Sequence, residues 1–145
     1  MAPPRDTTLA ATADAKAGQA LFESAGCAIC HVETFTTSPA GTLITSGASG
    51  GTAYQVPDAL AAKVFHPFGD YLLHDIGTGD GIYQAGPPDT ANKLRTAPLW
   101  GLHIKSRFMH HLASPTLNDA IQRHAGEARQ VTTNFNALTP AQQQS

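Results

Sequence analysis

Both cysteines of the chain lie in one pentapeptide, Cys27-Ala28-Ile29-Cys30-His31. No other feature constrains the fold as strongly. Two thiols three residues apart, with an imidazole directly behind them, form the attachment signature of a c-type haem. Each thiol adds across one vinyl group of the porphyrin, and the histidine reaches the iron as proximal ligand. A thioredoxin-like dithiol expects a strand before the motif and a βαβ pattern around it. A structural zinc site needs four ligands at short paired spacings. There is no second cysteine pair, and His110 and His111 are adjacent rather than spaced.

A chain of 145 residues fits one domain. Charged residues are sparse at 14%, and thirteen glycines and ten prolines imply many turns and long loops. A covalent haem suits this composition, because the porphyrin supplies apolar bulk that the side chains do not. The net charge of −2, with no basic stripe, argues against nucleic acid as a partner. No apolar run is long enough to span a membrane. Haem c is attached outside the cytoplasm, so a periplasmic or otherwise exported location is expected. Residues 1–6 have no apolar core and are not a signal peptide. The expectation is a piece of a longer exported protein.

Residues 1–12 read as a loose leader of Ala, Pro and Thr, and residues 13–145 as a single haem domain. Thr12 or Asp14 caps a first helix running to about Ser24, with Ala17, Ala20, Leu21 and Phe22 on its apolar face. Gly26 ends it as a C′ residue. Residues 34–53 form a Gly/Ser/Thr-rich loop, with a short extended pair around Leu43-Ile44 and Tyr54–Val56. Residues 65–76 are rich in large apolar groups, and Gly77, Gly79, Gly81 and Gly86-Pro87-Pro88 then break the chain. Pro98 starts a short helix over 99–103. Thr116 caps a late helix ending near Gly126, with Asp119 at N3. Leu117, Ala120, Ile121 and His124 share one face of it. Thr139-Pro140 resembles another helix start, cut short at Ser145.

Five segments carry a family resemblance: Gly18 through the haem motif to Val32, Asp70-Tyr-Leu-Leu-His-Asp-Ile-Gly77, Leu94-Arg-Thr-Ala-Pro-Leu-Trp-Gly-Leu102, Arg107-Phe-Met-His-His111, and Thr116-Leu-Asn-Asp-Ala-Ile-Gln-Arg-His-Ala-Gly-Glu-Ala128. In this order they resemble the C-terminal haem domain of bacterial di-haem cytochrome c peroxidases. They are more similar still to the di-haem oxidoreductases often labelled thiol oxidoreductase-like. The resemblance implies a cytochrome c-like, mostly α-helical domain with long Gly/Pro-rich loops. Relatives usually carry two haem motifs and end in a long helix. This chain carries one motif, which implies one covalent haem c and puts two-haem enzymology in doubt. Thiol chemistry has no support, because both thiols are expected to be consumed by the haem.

The sixth iron ligand has candidates in Met109, His66, His74, His103, His110, His111 and His124. His124 is favoured. The peroxidase relatives place a methionine at the equivalent helix position, and an unpaired imidazole on an apolar stripe is costly. Met109 is the runner-up. His110 matches a histidine that looks haem-proximate in relatives, although His111 and Leu112 replace the Asp and Gly that follow it there. His74 and Asp75 read as a pair supporting the pocket, and His66 and His103 as surface residues. Arg95 and Trp100 are candidates for the haem propionates, as charge-assisted and indole donors.

A His/His pair implies a lower potential than a Met/His pair. The leading expectation is an electron-transfer domain serving a redox partner protein or an adjacent haem domain, with self-association possible. The alternative is a haem peroxidase-type oxidoreductase acting on hydrogen peroxide, which needs a distal position that opens and a nearby group to move protons.

Overall fold

The computed structural model describes residues 6–45, 52–82 and 86–145. The first five residues of the expected leader and residues 46–51 of the expected loop therefore lie outside the described residues. Helix α1 (Thr7–Ala10) occupies part of what reads as a loose leader, because Asp6 Oδ1 accepts from the amides of Thr8 and Leu9 at 3.0 Å each. Helix α2 (Ala13–Ala25) follows, capped by the Thr12 hydroxyl at the Ala15 amide. It is stopped by Gly26 in the left-handed conformation, φ 97°. A side chain there would be strained and would press on Val131.

The strands come in two-stranded antiparallel ladders. β1 (Phe35–Thr36) pairs with β4 (Val64–Phe65), and β2 (Leu43–Thr45) pairs with β3 (Ala53–Gln55) with Ile44 opposite Tyr54. β5 (Leu73–His74) pairs with β6 (Leu94–Arg95). The extended pair expected near residues 43–56 is present. The mostly α-helical expectation is corrected: among the described residues helix covers 35% and strand 12%, and the domain is mixed. Among the described residues between 37 and 116, where proline and glycine recur, helical structure is limited to single 3-10 turns.

The short helix expected over residues 99–103 forms instead as a 3-10 turn, Leu102–Ile104, because Gly101 takes a left-handed conformation first. Helix α3 (Leu117–Gln122) begins as expected, with the Thr116 hydroxyl accepting from the Asp119 amide at 3.0 Å. It ends before His124, which lies just beyond its last turn. Helix α4 (Arg129–Asn136) was not anticipated, and it docks on α2. Phe135 is buried, and Asn134 Nδ2 donates to the Ala25 carbonyl at 3.0 Å. Thr139 and Gln142 cap one another reciprocally, but residues 140–144 form turns.

The protein core is sparse. Among the described residues the buried apolar side chains are Ala25, Val56, Ala120 and Phe135, with Pro67 beside them, while thirteen large hydrophobic residues are exposed.

Candidate haem site

The Gly26 stop throws Cys27–Ile29 into a 3-10 turn directly off α2, and the His31 amide closes back on the Cys27 carbonyl at 3.0 Å. Cys27 and Cys30 are both free thiols, half-buried. Burial pushes the Cys27 thiol up. Burial also raises the Cys30 thiol, helped by the negative charges of Asp70 and Glu127.

His31 lies against Phe22, with ring centroids 6.3 Å apart, and Phe22 meets Phe68 edge-on at 6.0 Å. His31 Nδ1 is 2.8 Å from the Phe68 carbonyl. A carbonyl only accepts, so Nδ1 carries the proton and Nε2 keeps its lone pair. This is the arrangement by which a backbone acceptor orients a metal-ligating imidazole. Burial holds the His31 ring below its ordinary value, against the pull of the Phe68 carbonyl; the His124 ring, itself close enough to act, adds to the lowering.

Residues 67–70 are the scaffold. Pro67 is fully buried. The Gly69 and Asp70 amides donate to the carbonyls of Val32 and Cys30 at 3.0 and 2.9 Å, while Leu99 donates to Pro67 at 3.0 Å on the other side. Phe68 and Tyr71 adopt left-handed backbone, φ 51° and 61°. Such conformations cost roughly 1–3 kcal/mol each and concentrate at functional sites. Here the strained residues supply the carbonyls that hold His31 and Arg95.

His124 repeats the proximal pattern. Its Nδ1 is 2.8 Å from the Ala120 carbonyl, so its Nε2 also keeps a lone pair. Its own carbonyl accepts from the Thr132 hydroxyl at 2.6 Å, which ties it to α4.

The other candidates are placed differently. Both nitrogens of His74 are engaged, Nε2 with Asp70 Oδ2 at 2.8 Å and Nδ1 with Glu127 Oε2 at 3.1 Å. The His74–Asp75 pairing does not form; the Asp75 carboxylate accepts from the Gly77 amide instead. His66 Nδ1 meets the Thr34 hydroxyl at 2.9 Å, and His103 is exposed. The His110 and His111 rings lie tilted against one another with centroids 4.5 Å apart, and His110 approaches Asp80 at 3.8 Å. Met109 sits in a strained turn, φ 66°, closed by the Phe108–Ser114 bridge. Arg95 donates one guanidinium N–H to the Tyr71 carbonyl and is otherwise exposed. Trp100 spends its indole N–H on the His66 carbonyl at 2.6 Å, next to the buried Pro67. Glu127, which the sequence offers together with Asp75 only as a group that could move protons, is the unexpected partner of His74. It lies 53 positions from His74, and local periodicity carries no signal over that separation.

A family model described as "Di-haem oxidoreductase, putative peroxidase" matches residues 2–145. The chain belongs to the di-haem oxidoreductase family. Haem binding and haem-based redox activity come with that membership. No curated protein and no solved structure matches the chain. Among the described residues no helix is long and apolar enough to cross a membrane.

The donor set fits a c-type haem. Two half-buried thiols sit on or beside one 3-10 turn, Phe22 and the Phe68 carbonyl contact the adjacent imidazole, and a second imidazole, near enough to act on the first, presents the same free nitrogen.

Proposed function

We propose that this chain is an exported c-type cytochrome domain of the di-haem oxidoreductase family, holding one covalent haem and passing electrons to a redox partner or an adjacent haem domain. The observation that carries the reading is the matched pair of imidazoles. His31 and His124 each have Nδ1 tied to a backbone carbonyl, which leaves each Nε2 available. Cys27 and Cys30 would form the thioethers, His31 the proximal bond and His124 the distal one. Haem supplies a one-electron iron couple when bound.

The protein's part is to fix both imidazoles in the neutral Nδ1–H form, so that neither has to reorient or lose a proton when the charge at the site changes. Phe22, itself met edge-on by Phe68, sets an aromatic ring beside His31. Two imidazoles favour a lower potential than a Met/His pair would. Arg95 retains guanidinium donors beyond its Tyr71 contact and is the candidate for a propionate. Trp100 supports the His66–Pro67 turn.

The family description favours a second reading, reduction of hydrogen peroxide. It requires His124 to leave, and a group that moves protons; His74, between Asp70 and Glu127, is the best-placed one. The discriminating experiment uses haem-loaded protein. Haem that resists acid–acetone extraction, one reversible one-electron transition and no reaction with peroxide support the carrier. Rapid peroxide turnover at an open iron supports the enzyme.

A further inference from the structure

Residues 67–77 touch the surroundings of both proposed ligands while supplying neither. At one end the Phe68 carbonyl accepts from His31. At the other, the carbonyls of Ile76 and Asp75 accept from the Ala125 and Glu127 amides at 2.9 and 2.8 Å. The residue after His124 thus hangs directly from this segment. Gly126, at φ 50°, passes so near the Asp75 carbonyl that any Cβ would collide with it.

His74 stands between the two ends. Its ring reaches Asp70 on the proximal side and Glu127 on the distal side, and the second Glu127 oxygen accepts from the Asp75 amide at 3.0 Å. Ionised carboxylates only accept, so a ring that bonds both donates from both nitrogens and is the imidazolium. The His74 and Asp70 side chains are only 19% and 11% exposed.

We infer that His74 is a positioning residue for His124: its bridge between Asp70 and Glu127 fixes the segment that presents His124 against the segment that orients His31. This rests on the reading of His31 and His124 as the axial pair. The hydrogen bonds from Asp70 and then Glu127 raise the His74 ring above its ordinary value. The other ionisable groups around it are Cys30, whose sulfur lies with the Asp70 and His74 ligand atoms within a 4.8 Å cluster, Lys93 acting on Glu127, and His31. A neutral ring donates from one nitrogen only, so the bridge opens on one side when the proton leaves.

The test is carbon monoxide binding to the ferrous haem-loaded protein, a probe whose own charge does not change with pH, read beside the low-spin fraction and far-UV CD. His74→Gln carries its donors on one nitrogen and no charge. It should bind carbon monoxide about ten- to a hundredfold faster than wild type, the usual scale for losing an outer-shell support, with unchanged CD. In wild type the rate should rise as pH passes the raised His74 value, and Glu127→Gln should move that rise to lower pH. If His74→Gln fails to take up haem, the Glu127→Gln profile decides alone. Wild-type rates and an unmoved profile, with fast binding in His124→Ala, would overturn the inference and leave the axial pair standing. Wild-type behaviour in His124→Ala itself would overturn both.

Discussion

The haem-motif side and the β2–β3 side of this domain are built by different means. Around the motif, residues 25–32, 67–77 and 120–136 are laced by backbone and side-chain hydrogen bonds that converge on four ionisable groups: His31, His74, Asp70 and Glu127. On the other side, every residue of β2 and β3 is exposed. That ladder borders an open apolar hollow of about 330 Å³, lined by Phe35, Ile44, Tyr54, Val56, Leu60 and Phe65. The first region has few side-chain degrees of freedom left, because its polar groups are paired and its turns are strained. The second is held by three residue pairs. The contrast teaches that rigidity here follows polar satisfaction around the site rather than apolar burial.

The largest effect should come from removing the thiols. Few apolar side chains are buried among the described residues, so a Cys27→Ala/Cys30→Ala chain should lose both covalent haem and most of its native helical CD. Retention of a native-like spectrum would show that the protein packs without the cofactor. Gly126→Ala should come next. Backbone strain of about 1–3 kcal/mol, together with collision at the Asp75 carbonyl, should lower the denaturation midpoint and loosen the distal side.

The pH dependence is a smaller effect with a definite sign. Because the His74 value is raised on folding, its contribution is fully present below the unfolded imidazole value, about 6.5. It is lost as pH rises through the higher folded value. Asp70 and Glu127, both held below their ordinary values, contribute in the opposite sense: their share is present at neutral pH and lost on acidification. Burial opposes ionisation of Asp70, but hydrogen bonds from Thr96, Leu72 and His74 outweigh it. Urea midpoints from pH 5 to 9 should therefore fall on the alkaline side in wild type and stay flatter in His74→Gln. The smallest effect should be Leu43→Ser on the exposed ladder, within about 0.5 kcal/mol of wild type. A large loss there would erase the contrast between the two regions.

Local chemistry made part of this legible. Thr12 and Gly26 bracket α2 in the sequence as they do in space, and Thr116 marks the start of α3. The haem motif is contiguous, so its turn could be read directly. Helix α4 could not be foreseen from propensity. Arg-Gln-Val-Thr-Thr-Asn-Phe-Asn has β-branched and Asn residues that favour helix weakly, and it forms because Phe135 buries itself and Asn134 finds the Ala25 carbonyl. Val131 and Phe135 at i, i+4 were the available signal. The mixed fold escaped for a related reason: ladders of two or three residues leave no periodicity to detect. The sequence points to His74 but pairs it with its neighbour Asp75, because Asp70 and Glu127 meet the ring through a strand and a distant turn.

The central claim is that His31 and His124 are a matched axial pair. Its most direct test is the EPR and optical spectrum of the ferric haem-loaded protein beside His124→Ala. The account predicts a low-spin bis-imidazole signal that turns high-spin in the variant. A variant spectrum identical to wild type, or a wild type already high-spin, would contradict it.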